Sequence, residues 1–303
     1  QNEFSDELNQ IKRELKVKEK NIQNKVLLEI LNYLNITTGK LFRPLLLLLS
    51  GQLGSRNFNK EKENLISVAV AVEYLHIATL IHDDIIDNSS LRRGQESINF
   101  KWNKNVSLLV GDFFLARCLN QLVGQSKEVI SEISTTMTKL VEGELEEEEA
   151  KKITNLSEQS YINRAKLKTS SLISCSCKLG GMIGGFKEDK TNHLVKYAEY
   201  LGIIYQISDD ILDYLSSSEE LGKPVNKDIE QGVPTLPFIY YVEQQLDFEV
   251  GSEAINPKFI LENINQKEYY TLNKLSFTAT YEKMVYFSCL AKEELNHFPK
   301  SPT

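Results

Sequence analysis

The sequence predicts an all-α protein, and three observations carry that prediction. Apolar residues recur at helical spacings through long stretches with few Gly or Pro breakers. Strand-like alternation is almost absent, and no repeat of domain size appears. Finally, an Asp-Asp-x-x-Asp cluster occurs twice, at Asp83-Asp84-Ile85-Ile86-Asp87 and at Asp209-Asp210-Ile211-Leu212-Asp213, each time after an apolar lead without breakers. At 303 residues and 41% hydrophobic the chain can bury one large core, and it is read as one domain over residues 1–303.

Ile11, Leu15, Ile22, Val26, Ile30 and Leu34 lie among Lys and Glu at helical spacing, which predicts one or two amphipathic surface helices over Leu8 to Leu34. Gly39-Lys40-Leu41-Phe42-Arg43-Pro44 then leads into a leucine run, with Pro44 suited to the first turn of a buried helix. Lys40 and Arg43 are cations at its mouth. Leu65 to Asp87 contains no Gly or Pro and reads as a long central helix that carries His76 above the core and ends in the first aspartate cluster. Asn88 to Gly94 reads as a polar loop that holds Arg92 and Arg93 within reach of the same anion as the aspartates.

Val106 to Leu122 is apolar enough for another buried helix, interrupted by Gly111-Asp112, where an aspartate inside the apolar face would need a partner. Ile130 to Lys152 continues helical, and its run Glu144, Glu146, Glu147, Glu148 and Glu149 reads as a solvated helix end without a role. Lys168-Thr169 sits in a small, apolar stretch. The glycines 180, 181, 184 and 185 do not follow a strand, so they read as helix termination and close helix packing rather than a dinucleotide loop. His193 to Leu215 is the second aspartate helix. Lys223, in Leu221-Gly222-Lys223-Pro224, is a further phosphate cation in a turn-rich connection.

Three carboxylates within five helical positions repel one another unless a cation or protons relieve them. One such cluster reads equally as a solvated acidic helix end. Two copies on two long helices point instead to Mg²⁺, a hard cation that takes carboxylate oxygens and completes its shell with water and phosphate. On that reading two helices facing across a cavity would hold several metals and one diphosphate.

Composition narrows the partners. A net charge of −7, with Lys and Arg scattered apart from Arg92-Arg93, excludes a nucleic-acid footprint. Cys118, Cys175, Cys177 and Cys289 lack metal-ligand spacing and read as reduced packing residues of a cytoplasmic protein. The polar stretch Gln1 to Lys20 reads as neither signal peptide nor membrane span, and the greasiest run, Leu45 to Leu49, is too short to cross a bilayer.

Taken together, Gly39-Lys40, Arg43-Pro44, His76, Asp83-Asp84-x-x-Asp87, Arg92-Arg93-Gly94, Gly111-Asp112, Lys168-Thr169, Gln206-x-x-Asp209-Asp210-x-x-Asp213, Leu221-Gly222-Lys223 and Gly232 with Pro234-Thr235 resemble, in order, the trans-type polyprenyl diphosphate synthases. The resemblance covers nearly the whole chain. It implies an isoprenoid-synthase-type helical bundle around a deep cavity, a homodimer, and head-to-tail condensation of isopentenyl diphosphate with an allylic diphosphate. By the same resemblance Asp83, Asp87 and Asp209 are principal metal ligands, with Asp84, Asp210 and Asp213 direct or water-mediated, for about three Mg²⁺ ions per site. Arg92, Lys168 and Lys223 would hold the allylic diphosphate; Lys40, Arg43, His76 and Arg93 the isopentenyl diphosphate; Thr169 and Gln206 would turn oxygen dipoles on the cation. Transient membrane contact for product release is a further implication.

The chain departs from the family at Val233, where short-chain members often carry lysine, and at Glu147, where glutamine is usual. It also stops soon after Pro299, where relatives often continue into a basic helix that closes the isopentenyl site. For product length, a helical rise of about 1.5 Å places Ala78 about 7.5 Å below Asp83, with Thr79 beside it and Leu75 a turn lower. Bulky aromatics near there floor the cavity in short-chain members of the family. The small Ala78 and Thr79 imply a long-chain product of roughly six to ten isoprene units (about C30 to C50), stopped lower down by residues such as Met137, Leu140 or Phe114. Geranylgeranyl diphosphate synthesis and a catalytic subunit that needs a smaller partner are the alternatives. A terpene cyclase is disfavoured by the second all-aspartate cluster and the four isopentenyl residues, a non-catalytic subunit by all six aspartates.

Overall fold

A computed structural model describes residues 4–16, 22–34, 39–151, 157–215, 232–246 and 266–299. These residues are almost entirely helical, as the apolar periodicity requires. The helices are α1 (Ser5–Leu15), α2 (Lys25–Leu34), α3 (Phe42–Gly54), α4 (Phe58–Ile86), α5 (Ile98–Lys101), α6 (Lys104–Gln121), α7 (Lys127–Ala150), α8 (Glu158–Ala165), α9 (Ser171–Ile183), α10 (Glu188–Leu215), α11 (Leu236–Leu246) and α12 (Gln266–Leu295). A π-helical turn, Lys166–Ser170, joins α8 to α9. The chain clusters into two compact units, each discontinuous in sequence: Gln1–Thr135 with Cys175–Val195 and Phe298–Thr303, and Thr136–Ser174 with Lys196–His297.

The first unit is built on α4, which packs against α1, α3 and α6. Its residues 68–75 are buried without a break, so this stretch of α4 is enclosed on all sides and lies inside a core, with Glu73 as its one charged side chain. By length and composition α4 could cross a membrane, but most of that stretch is buried within the protein. Pro44 does fall in the first turn of α3. The glycines within and just past α9 also do what was expected: a Cβ at Gly180 or Gly184 would meet the backbone oxygens of Leu47 or Gly51 on α3 at 2.2 and 2.4 Å.

Three expectations change in this unit. The loop after Asp87 contains a small hairpin, β1 (Leu91–Arg92) paired antiparallel with β2 (Gln95–Glu96). Its turn, Arg93-Gly94, has φ of 52° and 76°, and two positive φ values in a two-residue turn explain the glycine. Asp112 is largely exposed and pairs with His82 at 3.7 Å, so it needs no buried partner. The helix expected to be buried, α6, buries only Ser107, Val110, Gly111, Phe114 and Cys118, while Leu108, Leu109 and Leu119 are more than half exposed.

In the second unit Tyr161, Ile162, Ile203, Ile207, Leu236, Ile239 and Phe287 form a core cluster. Three of the four cysteines are buried and all four are free thiols, but Cys289 is exposed and packs no core.

Candidate active site

In the first unit the aspartates close α4. Asp84 is buried, and Arg92 Nε donates to its Oδ2 at 2.7 Å. Burial alone would lower the Arg92 pKa, but the Asp84 hydrogen bond and the charges of Asp84, Asp83 and Asp87 outweigh it and raise it. Asn99 Nδ2 donates to the Asp84 carbonyl at 3.0 Å, fixing the helix end. Asp83 and Asp87 are half-buried and keep access to solvent.

Two and three turns up α4, His76 and Glu73 face the same side. Arg43 Nη1 lies 3.1 Å from His76 Nε2, and an arginine only donates, so this imidazole nitrogen accepts and the ring proton sits on Nδ1. Burial, then the charges of Arg43, Arg93 and Arg92, holds the His76 pKa well below its ordinary value, which leaves a neutral ring. Burial raises the Glu73 pKa, against the opposing charges of Arg43 and Arg93. The Arg93 guanidinium and Glu73 Oε1 both lie within 4 Å of where a Gly39 side chain would begin. Lys40, next to Gly39, is exposed. His76, Arg92, Arg93 and Glu73 share a cavity of about 350 Å³ with the apolar Ile77, Leu80, Ile81 and Ile98, within the size range of small-ligand pockets. Leu75 and Ala78 are buried in the core beside it, and Thr79 Oγ1 donates to the His76 carbonyl at 2.9 Å.

In the second unit the π turn sets the geometry. It is approached by glycines from two helices: a Cβ at Gly143 on α7 would meet Lys168 N at 2.8 Å, and one at Gly202 on α10 would meet Ser170 Cα at 2.4 Å. Gln206, one turn after Gly202, therefore reaches Thr169, whose Oγ1 donates to Gln206 Oε1 at 2.6 Å. Gln206 Nε2 donates to Asp210 Oδ1 at 2.8 Å, and Tyr161 OH donates to Asp210 Oδ2 at 2.7 Å. Both oxygens of the buried Asp210 are thus held, whereas Asp209 is exposed and Asp213 buried. Single π turns recur at functional sites because the extra residue re-aims side chains, here Lys168 and Thr169.

On the α7 side Lys168 Nζ lies 2.6 Å from Glu147 Oε1 and 2.9 Å from Glu144 Oε2. The glutamate run is therefore not simply a solvated helix end. Arg164 is buried and donates to the Pro234 carbonyl at 2.7 Å and to Ser160 Oγ at 3.1 Å, tying the turn after Gly232 to α8. Desolvation lowers its pKa, against the charges of Glu147, Tyr161, Asp210 and Glu146. Tyr214 and Thr235 share a hydrogen bond at 2.6 Å. Lys223 lies outside the described residues.

The structure thus groups Asp83, Asp84 and Asp87 with Arg92, and Arg43 and His76 with Arg93, in one unit. It groups Lys168, Thr169, Gln206 and Asp210 in the other. Sequence reasoning missed Glu73, Tyr161 and Arg164, read Glu144 as part of a solvated helix end, and noted Glu147 only as a departure from the family pattern, without a role. For Glu73 the signal was a carboxylate one turn before His76 in an apolar run; for Glu144 and Glu147 it was i,i+3 spacing directly after a glycine.

A model of the polyprenyl synthetase family matches residues 24–269. The Bacillus subtilis (strain 168) protein named heptaprenyl diphosphate synthase component 2 is 37% identical over 76% of this chain and 67% of its own length. The chain spans 60% to 67% of the lengths of the curated relatives it matches at 35% to 37% identity. Among solved structures, heptaprenyl diphosphate synthase from Staphylococcus aureus superposes with a TM-score of 0.84 at 27% identity, over 98% of this chain and 93% of that one. The polyprenyl synthase from Caulobacter crescentus CB15, complexed with calcium and isoprenyl diphosphate, does so with a TM-score of 0.82 at 26% identity, over 97% and 88%.

Proposed function

Because the chain belongs to the polyprenyl synthetase family, a family of prenyltransferases acting on isoprenoid diphosphates, we propose that it condenses isopentenyl diphosphate head-to-tail with an allylic diphosphate to a long-chain all-trans polyprenyl diphosphate. The observation that carries this is shared by both aspartate clusters. In each, the second aspartate is buried and held, Asp84 by Arg92 and Asp210 by Tyr161 and Gln206, while the first, Asp83 or Asp209, keeps access to solvent. A merely solvated acidic helix end has no reason to bury and anchor one carboxylate at the same place twice.

The residues fit Mg²⁺. Asp83, Asp87 and Asp209 offer hard oxygens with access to solvent, and Asp84 Oδ1 is buried with no hydrogen-bond partner among the described residues, an acceptor left for a cation or its water. About three Mg²⁺ ions bound there would neutralise the charge that develops on the leaving diphosphate. Lys168, Arg92 and Lys223 orient the allylic diphosphate as fixed cations. Lys40, Arg43 and Arg93 hold the isopentenyl diphosphate by charge, and neutral His76 by donation from Nδ1–H. Thr169 and Gln206, already hydrogen-bonded to each other, present oxygens to the allylic cation. No protein base is required, since the departing diphosphate accepts the proton. Ala78, Thr79 and Leu75 are proposed to set product length.

The chain is proposed to act as one domain over residues 1–303, in the cytoplasm, with transient membrane contact as its apolar product leaves. Both units are discontinuous in sequence, and the boundaries at residues 135, 174 and 195 fall inside helices rather than in linkers, which supports one domain. Exposed Leu108, Leu109 and Leu119 on α6, with Val123 just beyond it, support a homodimer built on that face. The name "component 2" of a similar protein supports a second reading, a catalytic subunit that requires a smaller partner.

The test is incubation of the purified chain with radiolabelled isopentenyl diphosphate and each allylic primer, followed by chain-length analysis, with size-exclusion chromatography of the same sample. Elongated product from the chain alone is expected. Asp83→Ala or Asp209→Ala is expected to lower turnover by about a hundredfold or more. Near-normal turnover in either variant removes that aspartate from the mechanism, and product only on adding a second protein selects the heteromeric reading.

A further inference from the structure

Lys168 is held by more negative charge than it needs. Gly143 brings α7 against the π turn; Glu144 follows it directly and Glu147 lies three positions further on the same face. Both carboxylates reach the one ammonium, at 2.9 and 2.6 Å, and the three side chains are only 24% (Lys168), 15% (Glu144) and 17% (Glu147) exposed. One carboxylate neutralises a lysine. The second leaves the trio with a net charge of −1 in a partly desolvated place, where like-charge repulsion toward an incoming polyanion is weakly screened. Arg164, one turn before Lys168, also lies in the field of Glu147.

We infer that Glu147 is a positioning residue that competes with the diphosphate headgroup for Lys168 and so limits how tightly the allylic substrate and the product are held. This rests on the reading that Lys168 receives the allylic diphosphate. A diphosphate that engages Lys168 must displace the Glu147 carboxylate and lie against the displaced charge, and that cost is subtracted from headgroup affinity. The consequence is largest for an enzyme that lengthens an apolar tail. Each five-carbon unit adds buried apolar surface and strengthens retention of the product, so a headgroup site of moderate affinity keeps the finished chain from being trapped. No covalent step is involved: on release, the Lys168 ion pair with Glu147 re-forms as the diphosphate leaves.

Glu147→Gln keeps size and hydrogen-bonding capacity and removes the charge. It is expected to lower the KM for the allylic diphosphate and the inhibition constant of inorganic pyrophosphate in parallel by about fivefold, the size of one partly buried ion pair. Multiple-turnover kcat should fall while the single-turnover rate of the first condensation holds, because release slows. Glu147→Asp, which keeps the charge, should return both constants toward wild type, a rescue that a packing defect would not show. In a Lys168→Met background, Glu147→Gln should change both constants by clearly less than in wild type, because the competition for Lys168 is gone and only the charge repulsion remains. If Glu147→Gln leaves both constants unchanged or raises them while Lys168→Met raises them, the inference is overturned and the role of Lys168 stands. If Lys168→Met itself leaves the allylic KM unchanged, the underlying reading of Lys168 fails instead.

Discussion

Tyr161→Phe isolates one hydrogen bond in the second unit. The ring lies in the core cluster with Ile203 and Ile207 and keeps its shape in the variant, so packing is preserved and only the hydroxyl is lost. That hydroxyl donates to Asp210 Oδ2 at 2.7 Å, with Asp210 2% exposed. A hydrogen bond to a charged group contributes about 1.5 to 3 kcal/mol, so the expected loss is about 2 kcal/mol. For a chain of 303 residues that lowers Tm by about 3 °C, read by differential scanning calorimetry. Asp210 Oδ1 remains held by Gln206, so the carboxylate is loosened rather than released. Residues that orient metal-site carboxylates typically affect affinity by about tenfold or more, which sets the expected rise in half-saturating Mg²⁺. Tyr281→Phe, at an exposed position of α12, is the control and should stay within about 0.5 kcal/mol of wild type. A Tm shift no larger than the control's, together with an unchanged Mg²⁺ requirement, would refute the account of Asp210 as an anchored carboxylate.

Gly143→Ala should raise the allylic KM and destabilise by about 1 to 3 kcal/mol despite the helix preference for alanine, because the added methyl meets the backbone nitrogen of Lys168 at 2.8 Å; calorimetry and steady-state kinetics read both, and a stabilised, fully active variant contradicts the close approach. Because the folded pKa of His76 lies below its unfolded value near 6.5, its contribution to stability is complete above that pH and declines as pH falls from there toward the folded value. The raised pKa of Glu73 gives a slope of opposite sign, above pH 4.5 or so, and Arg43, Arg92 and Arg93 stay charged throughout, so the wild-type minus His76→Gln difference in urea stability is the measurement; a flat difference between pH 7 and 5 contradicts a buried neutral imidazole. Ala78→Phe should shorten the products while leaving the first condensation largely intact, as read by chain-length analysis, and an unchanged product distribution removes Ala78 from length control.

The helices were legible because burying one face leaves a 3.6-residue period, and the aspartate clusters because carboxylates at the end of a core run contradict their surroundings. What escaped was every residue whose local pattern agreed with a plain alternative. Tyr161 reads as core, and its ring is core; only the hydroxyl acts on Asp210, 49 positions later. Glu147 departs from the family's usual glutamine but otherwise reads as one more solvated glutamate, and its partner stands 21 positions on, beyond the end of its own helix. Arg164 reads as an ordinary helix-end cation, yet it is buried on the carbonyl of Pro234. Periodicity reports which face is buried, but it carries no information on which polar atom that face meets. The structure adds that pairing, and the shape of the backbone explains it: glycines 143 and 202, unremarkable in their helices, let α7 and α10 approach a π turn closely enough for side chains on both to reach Lys168 and Thr169. A glycine followed by a polar residue one turn later, in two helices of one unit, is therefore the pattern to test first when such a lysine and threonine stand adjacent in a chain. Its failure to predict close packing in other sequences would mark it as particular to this fold.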